Sequence, residues 1–318
     1  MGNYYACCPP AFTDYNHIQA VLARYKCTGV LHYDQEFPPT NETLYEESKC
    51  PKILKLVTER QISWIRAEQI PELNASKEGT SIFGDTIEHF DIQRAGILGD
   101  SWLLTVLISV ALHPERVQAI FETTEVNAAG AYSVNLYTDG TRKAVVVDSY
   151  LPCLGMTPCL SGSKLWVVVL QKAWAKSMGS YQRPYFASFV HTFHDLLGAP
   201  TYQYKVSQKS ITTIVEADAD GYLMAATIFE GEDKVSKKNR PLGLSRHHPY
   251  ALMGVFTVID QQGEAVRLLK LRNPNSKVVW RGSWGPQSSC WTDRLREEVG
   301  ISSLSEDTFC MTFDDFLQ

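Results

Sequence analysis

Between Gly99 and Phe121 the chain reads GDSWLLTVLISVALHPERVQAIF, and no other stretch limits its fold as much. Trp102, Leu103, Val106, Leu107 and Val110 recur at helical spacing and predict a buried helix face. Asp100 and Ser101 stand at the start of that helix, where capping residues belong. The pattern breaks at Pro114, whose ring and missing N–H end one helix and suit the first turn of the next. The apolar run at residues 104–112 is too short to cross a bilayer. Its partner must therefore be a protein core.

Downstream the period shifts towards two. AYSVNLYTDGTRKAVVVDSYLP alternates about Asp139-Gly140 and predicts a hairpin. LWVVVLQKAWAKSMGSY predicts another helix, and FVHTFHDLLGAP (residues 189–200) closes a first lobe. YLMAATIF, PYALMGVFTVID and AVRLLKLRNP then predict the strands of a second lobe. The polar excursion GEDKVSKKNRPLGLSRH reads as a mobile loop, and TFCMTFDDFLQ as a terminal strand and turn. Near the start, residues 31–60 carry Pro38-Pro39 and predict an extended arm with short helical turns, leading into a packed entry segment, ISWIRAEQI.

The chain has 318 residues, 44% apolar and 20% charged, which argues against wholesale disorder. A net charge of −5 offers no clustered basic footprint, so nucleic acid is not an expected partner. Eight cysteines without a Cys-x-x-Cys pair favour a reduced, cytoplasmic protein, and the first thirty residues hold no secretory apolar core. The start, MGNYYACC, offers Gly2 for acylation and Cys7 and Cys8 for palmitate, although Ala6 replaces the Ser or Thr of the usual pattern. Two acyl chains would make a stable tether where one would not. Membrane or cytoskeletal association is expected through this segment.

One ordered set of residues carries chemistry. Ser101 opens a helix, His248 starts a strand far downstream, and Asn273 ends the next strand. A nucleophile, a histidine and an asparagine in that order across two lobes is the papain-type arrangement. Singly each is ordinary: Ser101 a helix cap, His248 a strand-start histidine with His247 beside it, and Asn273 before Pro274 a turn residue.

Several collinear stretches resemble the calpain protease core. DIQRAGILGDSWLL resembles the family's Asp-Ile-Cys-Gln-Gly-x-Leu-Gly-Asp-Cys-Trp-Leu-Leu, and LQKAWAKSMGSY its Leu-Glu-Lys-Ala-Tyr-Ala-Lys helix. HHPYALMG resembles Gly-His-Ala-Tyr-Ser-Val-x-Gly, and LKLRNPNSKVVWRGSW resembles Arg-Asn-Pro-Trp-Gly followed by a Trp-x-Gly-x-Trp strand. EFPPTNETLY and FCMTFDDFL are similar to the flanks. The HPERVQAIF helix and the acylation signal lean towards calpain-like proteins of unicellular flagellates. The resemblance implies an α+β fold: a papain-like two-lobed core with a helical first lobe and an antiparallel β second lobe. The expected limits are an N-terminal segment at 1–34, lobe one at 35–198 and lobe two at 199–318, with a cleft between the lobes.

The family's chemistry needs a thiol at Ser101, because a thiolate–imidazolium pair is the attacking species. A serine hydroxyl is not ionised by the same surroundings. It needs a neutral histidine as base, usually oriented by a carboxylate, and Asn273 is neutral. The family also places a glutamine oxyanion donor six residues before the nucleophile. Ala95 stands there, with Gln93 and Arg94 in a shifted register. The tryptophan that follows Asn-Pro in the family is Asn275.

Calcium, which the family uses, needs hard oxygen ligands. The resemblance assigns Asp91 as one ligand and puts its partner carboxylate at Gln171; at the second site Cys290 and Thr308 replace acids while Glu306 and Asp307 remain nearby. Eroded sites and no cofactor are expected. The leading expectation is an inactive regulatory or scaffold pseudoprotease that holds protein or peptide partners. Two alternatives stay open: an active endopeptidase whose cysteine was exchanged for Ser101 to trap it, and a weak serine hydrolase.

Overall fold

The structure is a computed structural model. It describes residues 17–44, 62–73, 75, 77–93, 97–98, 100–138, 140–181, 188–228, 242–244, 248–274, 280–303 and 307–317. The expected lipidation positions Gly2, Cys7 and Cys8 lie outside them, as do Arg94, Ala95, His247, Asn275, Glu306 and most of the predicted mobile loop.

Two compact units emerge. One comprises residues 1–100 and 113–201, the other residues 101–112 and 202–318. Helices α1 (His17–Thr28) and α2 (Asn41–Leu44) and strand β1 (Ser63–Arg66) open the first unit. The next helix, α3 (Ser101–Ala111), belongs to the second unit, and the chain returns to the first with α4 (Pro114–Ile120).

The predicted hairpin forms as β2 (Ala131–Thr138) and β3 (Thr141–Asp148), in register from Ala131 opposite Asp148 to Thr138 opposite Thr141. A second antiparallel sheet joins β1, β4 (Tyr150–Leu154) and β5 (Thr157–Pro158) in the order β1-β4-β5. Helix α5 (Leu165–Met178) packs on β2 and β3. It is buried continuously from Leu165 to Ala175, as expected of a helix that is apolar on nearly every face. Gly179 ends it at φ +91°, a conformation that favours glycine. Helix α6 (Phe189–Leu197) lies against β2, capped by the Ser188 hydroxyl, which accepts from the His191 N–H.

Charges are threaded through this unit's core. Lys172 is wholly buried and donates to Asp148 Oδ1 and, at 2.6 Å, to the Tyr150 carbonyl. The other Asp148 oxygen accepts from the Asp34 backbone N–H at 2.8 Å. Lys176, one turn on, donates to both Asp34 oxygens at 2.9 Å and to the Val146 carbonyl. One face of α5 thus fastens the arm at Asp34 to the end of β3.

The second unit is built on an antiparallel sheet, β6 (Met224–Thr227), β7 (Pro249–Ile259), β8 (Ala265–Arg272) and β9 (Thr308–Thr312), in sequential order. Tyr250, Leu252, Leu269, Leu271, Phe309 and Met311 share one cluster with Trp280. Val258, Leu268 and Cys310 join Trp284, Trp291 and Leu295 in another. Successive residues of β8 and β9 thus serve different clusters, as strand geometry requires. A register shift between Leu252 and Gly254 interrupts the β7 alternation. Helices α7 (Ser210–Ala219), α8 (Asp293–Val299) and α9 (Phe313–Leu317) complete the unit.

Two details differ from the sequence reading. The Ser101 helix, assigned there to lobe one, packs on β6 and β7, with the Ser109 hydroxyl donating to the Met224 carbonyl at 3.0 Å. The Trp280–Trp284 stretch is a tight turn rather than a strand. The Trp280 indole N–H bonds the Ser283 carbonyl at 2.7 Å, and a Cβ on Gly282 or Gly285 would stand 2.2 or 2.4 Å from Trp280 atoms. Trp284 itself adopts φ +63°, rare for a residue with a bulky side chain.

Candidate functional site

Ser101, His248 and Asn273 all fall in the second unit. Ser101 is the first residue of α3, partly exposed, at the end of a helix buried from Leu103 to Ala111. Its carbonyl accepts from the Thr105 hydroxyl, one turn on, at 2.8 Å.

Strand geometry brings His248 and Asn273 together. Ala251 pairs with Arg272 across β7 and β8. One step further out, Asn273 faces Tyr250. His248, two residues before Tyr250, lies on that same face within diagonal reach. Its imidazole is hydrogen-bonded by the Asn273 side chain. The His248 and Tyr250 rings meet edge to face with centroids 6.1 Å apart, and Tyr250 packs in turn on Phe309.

Asn273 is 1% exposed and anchored from β9: its backbone N–H donates to the Asp307 carbonyl at 2.8 Å. The Asp307 carboxylate accepts from Arg272 Nε at 2.8 Å and from the Thr308 hydroxyl at 2.8 Å. The sequence places Asp307 near an eroded calcium-site position and does not show this positioning role. Only the β8–β9 register, which sets Arg272 opposite Thr308, reveals it.

Burial pushes the His248 pKa below its ordinary 6.5, and the Asn273 hydrogen bond only partly offsets this. The imidazole is therefore mostly neutral at pH 7. Because the folded-state value is depressed, the associated stability is present above pH 6.5 and is lost as pH falls through the folded value. We expect an NMR titration midpoint for His248 below 6.5, moving lower still in Asn273→Ala. A midpoint at or above 6.5 would contradict this environment.

The thiols point the same way. Burial raises Cys153 and Cys310 to about 12 and Cys159 to about 11, the reverse of what a nucleophile requires.

The remaining predicted positions are scattered. Gln93 is exposed. Asp91 and Gln171 lie in the first unit, Cys290 and Asp307 in the second. Asp91 is bound by Lys164 and Trp166, and Gln171 by the backbone of Ser161 and Val167. Cys290 bonds through its backbone, its N–H to the Ser288 hydroxyl and its carbonyl to Gln261.

A helix headed by Ser101, packed on an antiparallel sheet whose adjoining strands carry a hydrogen-bonded histidine and asparagine, is consistent with the calpain protease core. A sequence profile described as "Calpain family cysteine protease" matches residues 32–318, and the chain belongs to that family. It is 28% identical over 301 residues to "Calpain-type cysteine protease DEK1" of Arabidopsis thaliana, covering 89% of this chain and 13% of that protein. It is 26% identical over 323 residues to "Calpain-A" of Drosophila melanogaster, covering 96% and 37%. With "Calpain-1 catalytic subunit" of Mus musculus the identity is 28% over 312 residues, covering 94% and 42%. The chain thus spans less than half the length of these relatives. Among the described residues no helix is long and apolar enough to cross a membrane.

Proposed function

We propose that this calpain-family chain is a catalytically silent member that engages protein or peptide partners, as a scaffold or as a competitor for the substrates of active relatives. One observation carries the reading: the residue heading α3 is a serine rather than a cysteine, and the histidine it would use is oriented by a neutral amide rather than a carboxylate.

Helix geometry supports placing Ser101 opposite that histidine. From Ser109, bonded to Met224, back to Ser101 is roughly 12 Å of helix. From Leu252, the pairing partner of Met224, back to His248 is roughly 13 Å of strand. A helix running along β7 in the same sense would bring the two to one level. There a serine cannot form the ion pair open to a thiol, and Asn273 gives a nascent imidazolium no compensating charge.

A weak serine hydrolase is the second reading, favoured by the neutral His248, which is the protonation state a serine base needs. Incubating the protein with a mixed peptide library separates the two. The silent reading expects peptides retained by the protein and recovered intact, whereas new termini that disappear in Ser101→Ala would overturn it.

The reading includes a membrane tether through Gly2, Cys7 and Cys8. In native cells a myristate analogue should label the chain, and Gly2→Ala should release it from membranes. An unlabelled chain would remove the tether from the account.

A further inference from the structure

Lys164 precedes the first residue of α5, yet its side chain makes no cap bond there. Its ammonium instead reaches an upstream segment of the same unit. It donates to the Thr86 carbonyl and pairs with Asp91 Oδ1 at 3.0 Å. Asp91 is 5% exposed, and its second oxygen accepts from the Trp166 indole N–H at 3.1 Å and the Glu88 backbone N–H at 3.0 Å. Further bonds close the same seam: the Asp91 carbonyl accepts from Ser163 N–H at 3.0 Å, and the Ile82 carbonyl from Trp166 N–H at 3.2 Å. Gly84, beside the lysine stem, adopts φ +70°, a conformation that favours glycine.

A carboxylate and a carbonyl converging on one positive centre is the setting a hard cation seeks. Here the charge is covalently attached. The residues expected to complete a calcium site do not supply one. Gln171 is neutral, and its amide is turned to the backbone of Ser161 and Val167. Asp307 is neutralised by Arg272. Among the described residues no group of three or more His, Cys, Asp or Glu converges on a point that could hold a metal. The donors present do not fit calcium.

We propose that Lys164 is a built-in counter-ion standing in for a divalent metal, holding the segment from Ile82 to Asp91, which leads in sequence to Ser101, in one conformation without calcium. This does not depend on whether Ser101 is silent.

Hydrogen exchange on the full chain tests it, with backbone amides of residues 82–92 followed in EDTA and in millimolar calcium. The unaltered protein should give the same protection in both. Lys164→Met keeps the stem and removes the charge. It should speed exchange of these amides by about 10-fold or more, the scale of a lost charge-assisted hydrogen bond, and leave β7 and β8 unchanged. Calcium protection of the unaltered segment that vanishes in Asp91→Asn would overturn the proposal. So would unchanged exchange in Lys164→Met. The unaltered protein in the two buffers decides the matter even where the variant fails to fold.

Discussion

Lys172→Met is expected to lower the free energy of unfolding by about 3–5 kcal/mol, measured by urea denaturation at neutral pH. The exchange keeps most of the side-chain volume, so the loss is electrostatic rather than a cavity effect. Desolvation pulls the Lys172 pKa down, and the adjacent Asp148 opposes that shift. Removing the ammonium leaves Asp148, 1% exposed, with the Asp34 and Tyr150 N–H groups but, among the described residues, no ion-pair partner. A buried carboxylate stripped of its counter-charge is a costly group to keep folded. The Tyr150 carbonyl also loses its donor. Exchanging Asp148 for Leu in the same chain should recover only part of the loss: it removes the uncompensated charge but takes the acceptor from the Asp34 and Tyr150 N–H groups. A loss below about 1 kcal/mol in the single variant would mean that the pair is solvated and that α5 is not fastened through it.

Much of this architecture was legible in the chain, for identifiable reasons. Helix α3 announced itself because its apolar residues keep helical spacing up to a proline break. The β2–β3 hairpin did so because alternation brackets an Asp-Gly turn. His248 and Asn273 could be paired from sequence because each sits at a strand end within a recognisable motif. Helix α8 was missed although its signals are present: the Thr292 hydroxyl accepts from the Leu295 N–H, Asp293 occupies the first turn, and Gly300 ends it at φ +66°. Its surroundings read as strands and loops, and a helix of two turns leaves little periodicity. The turn at Trp280–Gly285 escaped because the Trp280 indole folds over its own downstream Gly282, a local conformation that hydrophobic periodicity does not encode. The grouping of α3 with the second unit depends on packing against β6 and β7, which local pattern does not encode. The pairing of Lys164 with Asp91, far apart in sequence, was invisible for the same reason.

Ser101→Cys is expected to yield no more than a trace of peptide hydrolysis, and the size of the shortfall follows from three defects. A thiol at the start of α3 gains from the helix N-terminus. Its partner, however, is an imidazole that burial keeps neutral, so the thiolate–imidazolium pair begins at a disadvantage. The oxyanion donor is the second defect: Ala95 stands where a glutamine is expected, and loss of one such donor costs about 10²–10³ in rate, or about 3–4 kcal/mol. The third is Asn275, at the position where the calpain resemblance expects a tryptophan. Restoring the sulfur repairs none of these. The decisive measurement is hydrolysis of a calpain peptide substrate by the unaltered protein, Ser101→Ala and Ser101→Cys side by side, with and without calcium, together with labelling by an irreversible thiol-directed peptide inhibitor. The account predicts identical baselines for the unaltered protein and Ser101→Ala, and a signal from Ser101→Cys barely above them. Efficient turnover and stoichiometric labelling of Ser101→Cys would contradict it, marking the chain as a peptidase disabled at a single atom.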